Sequence, residues 1–154
     1  MTEYSLDTNI LIGLEQRYPR DVFPSAWSAL EGMVDDGRAC ICQEVLEETN
    51  RGSDGLYVWA STYAGFVCST TDEEVVLASQ ISVAHEEWVR ETTNAADPFL
   101  IAHASITARV VVTEERRAGP NVSNKNQKVP NVADTVGVST VDFIQFARDE
   151  GWRF

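Results

Sequence analysis

The sequence predicts an α/β fold with a parallel sheet covered by helices on both faces. Three observations predict it. Short apolar stretches alternate with stretches of helical periodicity along the whole chain, which implies crossover connections between parallel strands. Hydrophobic residues make up 44% of 154 residues, a globular composition long enough for one domain with a core. No repeat or low-complexity block interrupts the alternation, so residues 1–154 read as a single domain.

Tyr4 to Leu6 reads as a first strand that ends at Asp7, and Asn9 to Leu14 as the start of a helix closed near Tyr18-Pro19. Pro24 opens a second helix, since proline suits the first turn. Trp27, Leu30 and Val34 recur on one face of it, and Gly37 follows as a C-cap. Ala39 to Cys42 is a second strand. Helices are expected over Glu44 to Arg51 and Leu56 to Tyr63, and Phe66 to Ser69 is a third strand. Thr71 and Glu74 form a capping box. The helix behind it is expected to run to about Arg90, with Leu77, Ile81, Ala84 and Trp88 on one face.

Asp97-Pro98 opens a helix to about Ala108, and Val110 to Val112 is a buried strand. Gly119 to Asn131 is polar and reads as a long loop. Gly137 to Val141 is a fifth strand, and Asp142 to Glu150 a closing helix. Trp27, Trp59 and Trp88 fit core-facing positions rather than base stacking.

No apolar run approaches the roughly 20 residues that span a bilayer. The short acidic start Met1-Thr2-Glu3-Tyr4 has no signal-peptide character, so the expected location is the cytoplasm. Three cysteines, an odd number, argue against a disulfide framework. Cys40 and Cys42 share one strand face, and with His85 and His103 far along the chain all three cysteines read as ordinary half-buried thiols. The formal charge is −12, from 24 acids and 12 bases. That sign opposes direct contact with phosphates unless some acids form a cluster that holds cations.

Sites in open α/β sheets form beyond the carboxyl ends of the strands. Asp7 directly follows the first strand, and Glu115 follows Val110 to Val112 by a few residues. Asp97 and one of Glu44, Glu47 or Glu48 stand near helix starts that can line the same crevice. Carboxylates gathered this way repel one another and need a proton or a metal between them. Oxygen-only ligands select Mg²⁺ or Mn²⁺, which serve phosphodiester displacement. Each residue also has a plainer role. Asp7 suits a turn or cap, Asp97 an N-cap, and Glu44, Glu47, Glu48, Glu114 and Glu115 a solvated surface.

In order along the chain, these motifs resemble those of PIN domains, and more closely a PIN-like family of mostly uncharacterised bacterial proteins. Tyr4 to Ile12 resembles the opening motif, Val45-Leu46-Glu47-Glu48 with Arg51-Gly52 the second, Asp97 to Ala102 the third, and Val111 to Glu115 the fourth. Tyr18-Pro19, Phe23-Pro24, Trp27, Trp59 and Lys128-Val129-Pro130 add to the narrower likeness. The resemblance implies a three-layer α/β/α fold with about five parallel strands. It implies a Mg²⁺- or Mn²⁺-dependent ribonuclease of single-stranded RNA, with Asp7, Glu48, Asp97 and Glu115 as metal ligands. Asn9 would orient the cluster. Glu115 stands where the motif usually has Asp, and Glu44, one turn before Glu48, can substitute for it. The resemblance further implies the toxin of a VapC-like type II toxin–antitoxin pair, with an antitoxin partner and often a homodimer.

Arg116, Arg117, Lys125 and Lys128 concentrate basic charge near the fourth motif and are candidates for RNA phosphate contacts. Thr113 can hold a water or phosphate. His103 falls on a different helix face from Asp97, which favours a packed or hydrogen-bonded role. A dehalogenase-like phosphatase would need a second acid two residues after Asp7, where Asn9 stands. The remaining alternative is a catalytically degenerate PIN-like module that binds RNA or protein.

Overall fold

A computed structural model describes residues 1–154. The strands are β1 (Tyr4–Leu6), β2 (Ala39–Cys42), β3 (Val67–Cys68), β4 (Val110–Val112) and β5 (Thr140–Val141). The helices are α1 (Thr8–Arg17), α2 (Pro24–Asp35), α3 (Gln43–Thr49), α4 (Asp54–Thr62), α5 (Asp72–Ala84), α6 (Asp97–Ile106), α7 (Val129–Thr135) and α8 (Phe143–Asp149). All strand pairs are parallel, in the order β3-β2-β1-β4-β5. This is the α/β arrangement with a five-stranded parallel sheet that the sequence predicts.

Successive strand residues face opposite sides of the sheet. Tyr4 packs its ring 4.6 Å from Phe146 of α8 on one face. On the other, Ser5 pairs in register with Cys40, which meets His103 of α6. Helices therefore cover both faces, and Leu6, Ile41, Val111, Leu100 and Ile101 are fully buried between them. No helix is long and apolar enough to cross a membrane.

Strand order places the crevice. The chain builds outward from β1 through β2 to β3, then crosses back to add β4 and β5 on the other side. The order reverses between β1 and β4, so the loops leaving those two strands diverge and open a cleft. Their register, Leu6 opposite Val112, brings the next residues, Asp7 and Thr113, side by side at its floor.

The helix behind the Thr71 capping box stops at Ala84, not near Arg90. His85 takes the C-cap, and Glu87, Glu91 and Asn94 then adopt positive φ, which ends helical hydrogen bonding. The buried stripe is Glu74, Ala78 and Ile81, while Ala84 is exposed and Leu77 half-buried. Trp88 is buried by this turn, its indole donating to the Gln127 carbonyl. The expected loop over Gly119 to Asn131 is also more ordered than its composition implied. It contains a short 3₁₀ turn at Asn124–Asn126, and α7 starts at Val129. Pro130 sits in the first turn of α7, and Asn131 closes the turn by accepting from the Lys128 and Ala118 amides.

The capping box is present in full, with Thr71 Oγ1 accepting from the Glu74 amide and Glu74 Oε2 accepting from the Thr71 amide. Thr71→Ala removes half of it and is expected to cost about 1 kcal/mol. Thermal unfolding should fall by about 2–4 °C for a domain of this size. An unchanged melting temperature would show that the cap contributes nothing.

Candidate active site

The site is built from the ends of two strands and the starts of two helices. Asp7 caps α1, its Oδ1 accepting from the Thr8 amide at 2.7 Å. Its Oδ2 accepts from Thr113 Oγ1 at 2.7 Å and from Asn9 Nδ2 at 3.1 Å. The turn-or-cap reading of Asp7 is thus realised. Asn9 also donates to Thr113 and accepts from the Glu114 amide, which ties the end of β1 to the end of β4.

Glu48 reaches the cleft from the last turn of α3. Its Oε2 accepts from Thr8 Oγ1 at 2.6 Å, and its Oε1 from the Ala96 amide at 3.4 Å. Glu44 instead turns towards Thr70, whose hydroxyl donates to both of its oxygens. Of the three acids considered for this place, Glu48 is the one in the cleft, and Glu47 is exposed.

Asp97 is not the cap of α6, as one reading of its position would have it. Ala96 is the cap residue and makes no side-chain cap bond, while Asp97 is the first helical residue with Pro98 behind it. Its carboxylate is buried in the cleft wall, and only burial and neighbouring charges act on it. Glu115 is half-buried. Its Oε2 accepts from the Val129 amide at 2.6 Å, capping α7, and the residue also lines the cleft.

Asp7, Glu48, Asp97 and Glu115 together line a cleft of about 270 Å³ with Thr8, Asn9, Ile12 and Asn94. Thr8 and Asn94 were not singled out from sequence. Thr8 was legible as the hydroxyl after the strand-end acid. Asn94 depends on the positive-φ turn before α6, which periodicity does not signal.

The bases are less uniform than their spacing suggested. Lys128 is exposed and close enough to act on Asp97. Lys125 is exposed on the 3₁₀ turn. Arg116 and Arg117 line a neighbouring depression of about 230 Å³ with Glu114 and Glu115. Arg117 is committed to Asp134 through two bonds of 2.6 and 2.8 Å.

The site is under electrostatic tension. Burial, followed by the charges of Glu115 and Glu48, pushes Asp7 up to about 7, against the hydrogen bonds of Thr113 and the Thr8 amide. Asp97 is pushed well above the usual range by burial first, then by Asp7, Glu115 and Glu48, with Lys128 pulling the other way. Oxygen donors at one point, two of them buried and short of compensating charge, are the donor set that hard divalent cations take.

The sequence matches the model of a family described as a domain of unknown function, DUF4411, over residues 4–154. The chain belongs to the DUF4411 family. No curated protein matches it by sequence. Among solved structures, the DUF4411 chain is similar in fold to FitAB bound to an IR36 DNA fragment, at 16% identity and a TM-score of 0.53. That match covers 90% of this chain and 94% of the other. It is also similar to FitAcB from Neisseria gonorrhoeae, at 14% identity and a TM-score of 0.55, covering 89% and 95%.

Without metal, the raised pKa values fix a pH dependence. The folded protein holds protons that the unfolded chain releases near 3.8, so this stability is full below that pH and lost as pH rises through about 7. Metal-free protein should therefore melt lower at pH 8 than at pH 5, and Asp97→Asn should raise the pH 8 value by about 2–4 °C. Mg²⁺ or Mn²⁺ should raise the melting temperature of the wild type at pH 8 and do little for Asp97→Asn. Scanning calorimetry that found Asp97→Asn less stable than wild type without metal would refute this electrostatic reading.

Proposed function

We propose that this DUF4411 protein is a Mg²⁺- or Mn²⁺-dependent endoribonuclease that cleaves single-stranded RNA, the toxin of a type II toxin–antitoxin pair. The observation that carries the reading is the convergence of Asp7, Asp97, Glu48 and Glu115 on one cleft at the strand-order switch. Asp7, Asp97 and Glu48 are the proposed direct ligands. Glu115 contributes through the oxygen that Val129 does not use. Held by these residues, a divalent ion would supply the charge needed to activate water and stabilise in-line displacement at phosphorus.

The chain's own groups have distinct duties in this scheme. Thr113 and Asn9 fix Asp7 Oδ2, and Thr8 fixes Glu48 Oε2, so the acids are aimed before a cation arrives. Lys128, close enough to act on Asp97, and Lys125, exposed on the 3₁₀ turn before it, are the proposed contacts for an RNA backbone, with Arg116 of the neighbouring depression as a third. Arg117 is a weaker candidate because its guanidinium already pairs with Asp134. The likeness to FitAB and FitAcB supports a partner protein, an antitoxin that covers the cleft, and the assembly expected with it is a homodimer.

A second reading is a degenerate PIN-like module that binds RNA or protein without cutting. The engagement of Glu115 as the cap of α7, in the place where the motif usually has Asp, favours it.

A panel of single-stranded RNAs incubated with Mg²⁺, Mn²⁺ or EDTA separates the two. Wild type is expected to cleave with metal and not in EDTA, and Asp7→Asn to lose at least about 100-fold, the scale on which electrostatic catalysts act. Cleavage that persists in EDTA or in Asp7→Asn would sink the nuclease reading, and binding without cleavage would favour the module. Lys125→Ala with Lys128→Ala should weaken RNA binding and flatten its salt dependence. Filter binding at several salt concentrations checks this, and unchanged slopes would remove the two lysines from the interface.

A further inference from the structure

Beneath α6, on the sheet face away from Tyr4, lies a second cluster of metal-ligating side chains that the carboxylate cleft does not use. The cysteines and histidines looked unrelated along the sequence, but the fold brings three of them together. Cys40 Sγ lies 3.3 Å from His103 Nε2, and the ligand atoms of Cys40, Cys68 and His103 all lie within 4.8 Å of one another. We propose that Cys40, Cys68 and His103 form a site for a thiophilic divalent cation, zinc by preference, separate from the carboxylate cleft.

The backbone register builds the site. Cys42 pairs with Cys68 across the parallel β2–β3 ladder, and Cys40 lies two residues before Cys42, so the sulfurs share one face. α6 crosses that face and delivers His103 from above. The remaining ring nitrogen is already held, with His103 Nδ1 3.0 Å from Glu74 Oε1. Glu74 is itself fixed by the Thr71 capping box through its other oxygen. This carboxylate–histidine pairing is the arrangement that orients zinc-bound imidazoles and fixes their tautomer.

The chemistry of the donors selects the ion. Two sulfurs and one imidazole suit zinc, with Zn–S near 2.3 Å and Zn–N near 2.0–2.1 Å, and are poor ligands for Mg²⁺ or Mn²⁺. Two thiolates around one Zn²⁺ give a neutral unit, which tolerates burial better than either charge alone. Access is from the edge of the sheet, since β3 is the outermost strand on that side and Cys68 is only half-buried. A further polar atom lies next to the cluster. Ser5 pairs with Cys40 on the same face, fully buried, and its hydroxyl has no hydrogen-bond partner. Three protein ligands leave a fourth position for water or another small donor.

The test uses the reduced full-length chain with Co²⁺ as a spectroscopic substitute for Zn²⁺, in excess Mg²⁺. One Co²⁺ per chain should bind and show a thiolate-to-cobalt charge-transfer band that Zn²⁺ abolishes. Asp7→Asn should keep the band, and Cys68→Ser should lose it while retaining the wild-type far-ultraviolet circular dichroism. Glu74→Gln should weaken Zn²⁺ binding by about 10- to 100-fold, as loss of an orienting partner does. Zn²⁺ should also slow alkylation of Cys68 in the wild type at least about 10-fold, a readout that needs no variant. A wild type without the thiolate band, or a band unchanged in folded Cys68→Ser, overturns the proposal.

Discussion

The hydrogen bond from Thr113 to Asp7 joins the two strands on which the cleft depends. It closes the gap between β1 and β4 where the strand order reverses, and it aims one buried carboxylate at the others. Its contribution is opposed by mutual repulsion. Two unit charges 4 Å apart interact by about 4 kcal/mol at an effective dielectric of 20. Hydrogen bonds to Asp7 offset part of that, yet burial and the neighbouring acids still hold its pKa near 7. A protein that keeps such an arrangement carries a standing preference for positive charge in the cleft. The net charge of −12, which seemed unsuited to an anionic substrate, becomes consistent with one when some of the acids serve a cation.

α6 connects this cleft to the rest of the molecule. It presents Asp97 at its first residue and His103 about two turns later, and it packs on β1, β2 and β4 as well as on α5. The same helix therefore fixes one wall of the carboxylate cleft and the roof over Cys40 and Cys68. α7 packs against α6 and ties further groups to the cleft. Glu115 caps it, Gln127 and Thr135 hold His85, and the segment places Lys128 beside Asp97.

Much of the fold was legible because its signals are local. The strand–helix alternation, the Thr71–Glu74 box and the prolines at α2 and α6 act within a few residues, and each element they predict is present. The two failures arose where tertiary contacts overrode periodicity. Trp88 continued the helical spacing of α5, but its burial comes from a positive-φ turn docked on Gln127. The polar stretch near Lys128 looked like a loop because α7 is short and owes its start to Glu115 and Asn131, side chains without an apolar signature. At the site, order along the chain brought out the four acids, and only geometry separated Glu48 from Glu44. The nearness of His103 to Cys40, 63 residues apart, has no sequence signal at all.

In the proposed function, a divalent cation holds the carboxylates of Asp7, Asp97 and Glu48 together. Anomalous diffraction at the manganese edge, from crystals grown in Mn²⁺, tests it most directly. The account predicts a peak in the cleft about 2.0–2.3 Å from oxygens of Asp7 and Asp97, in keeping with hard-cation geometry. A cleft without a peak at saturating Mn²⁺, with Asp7 and Asp97 instead sharing a proton in a direct hydrogen bond, would contradict it.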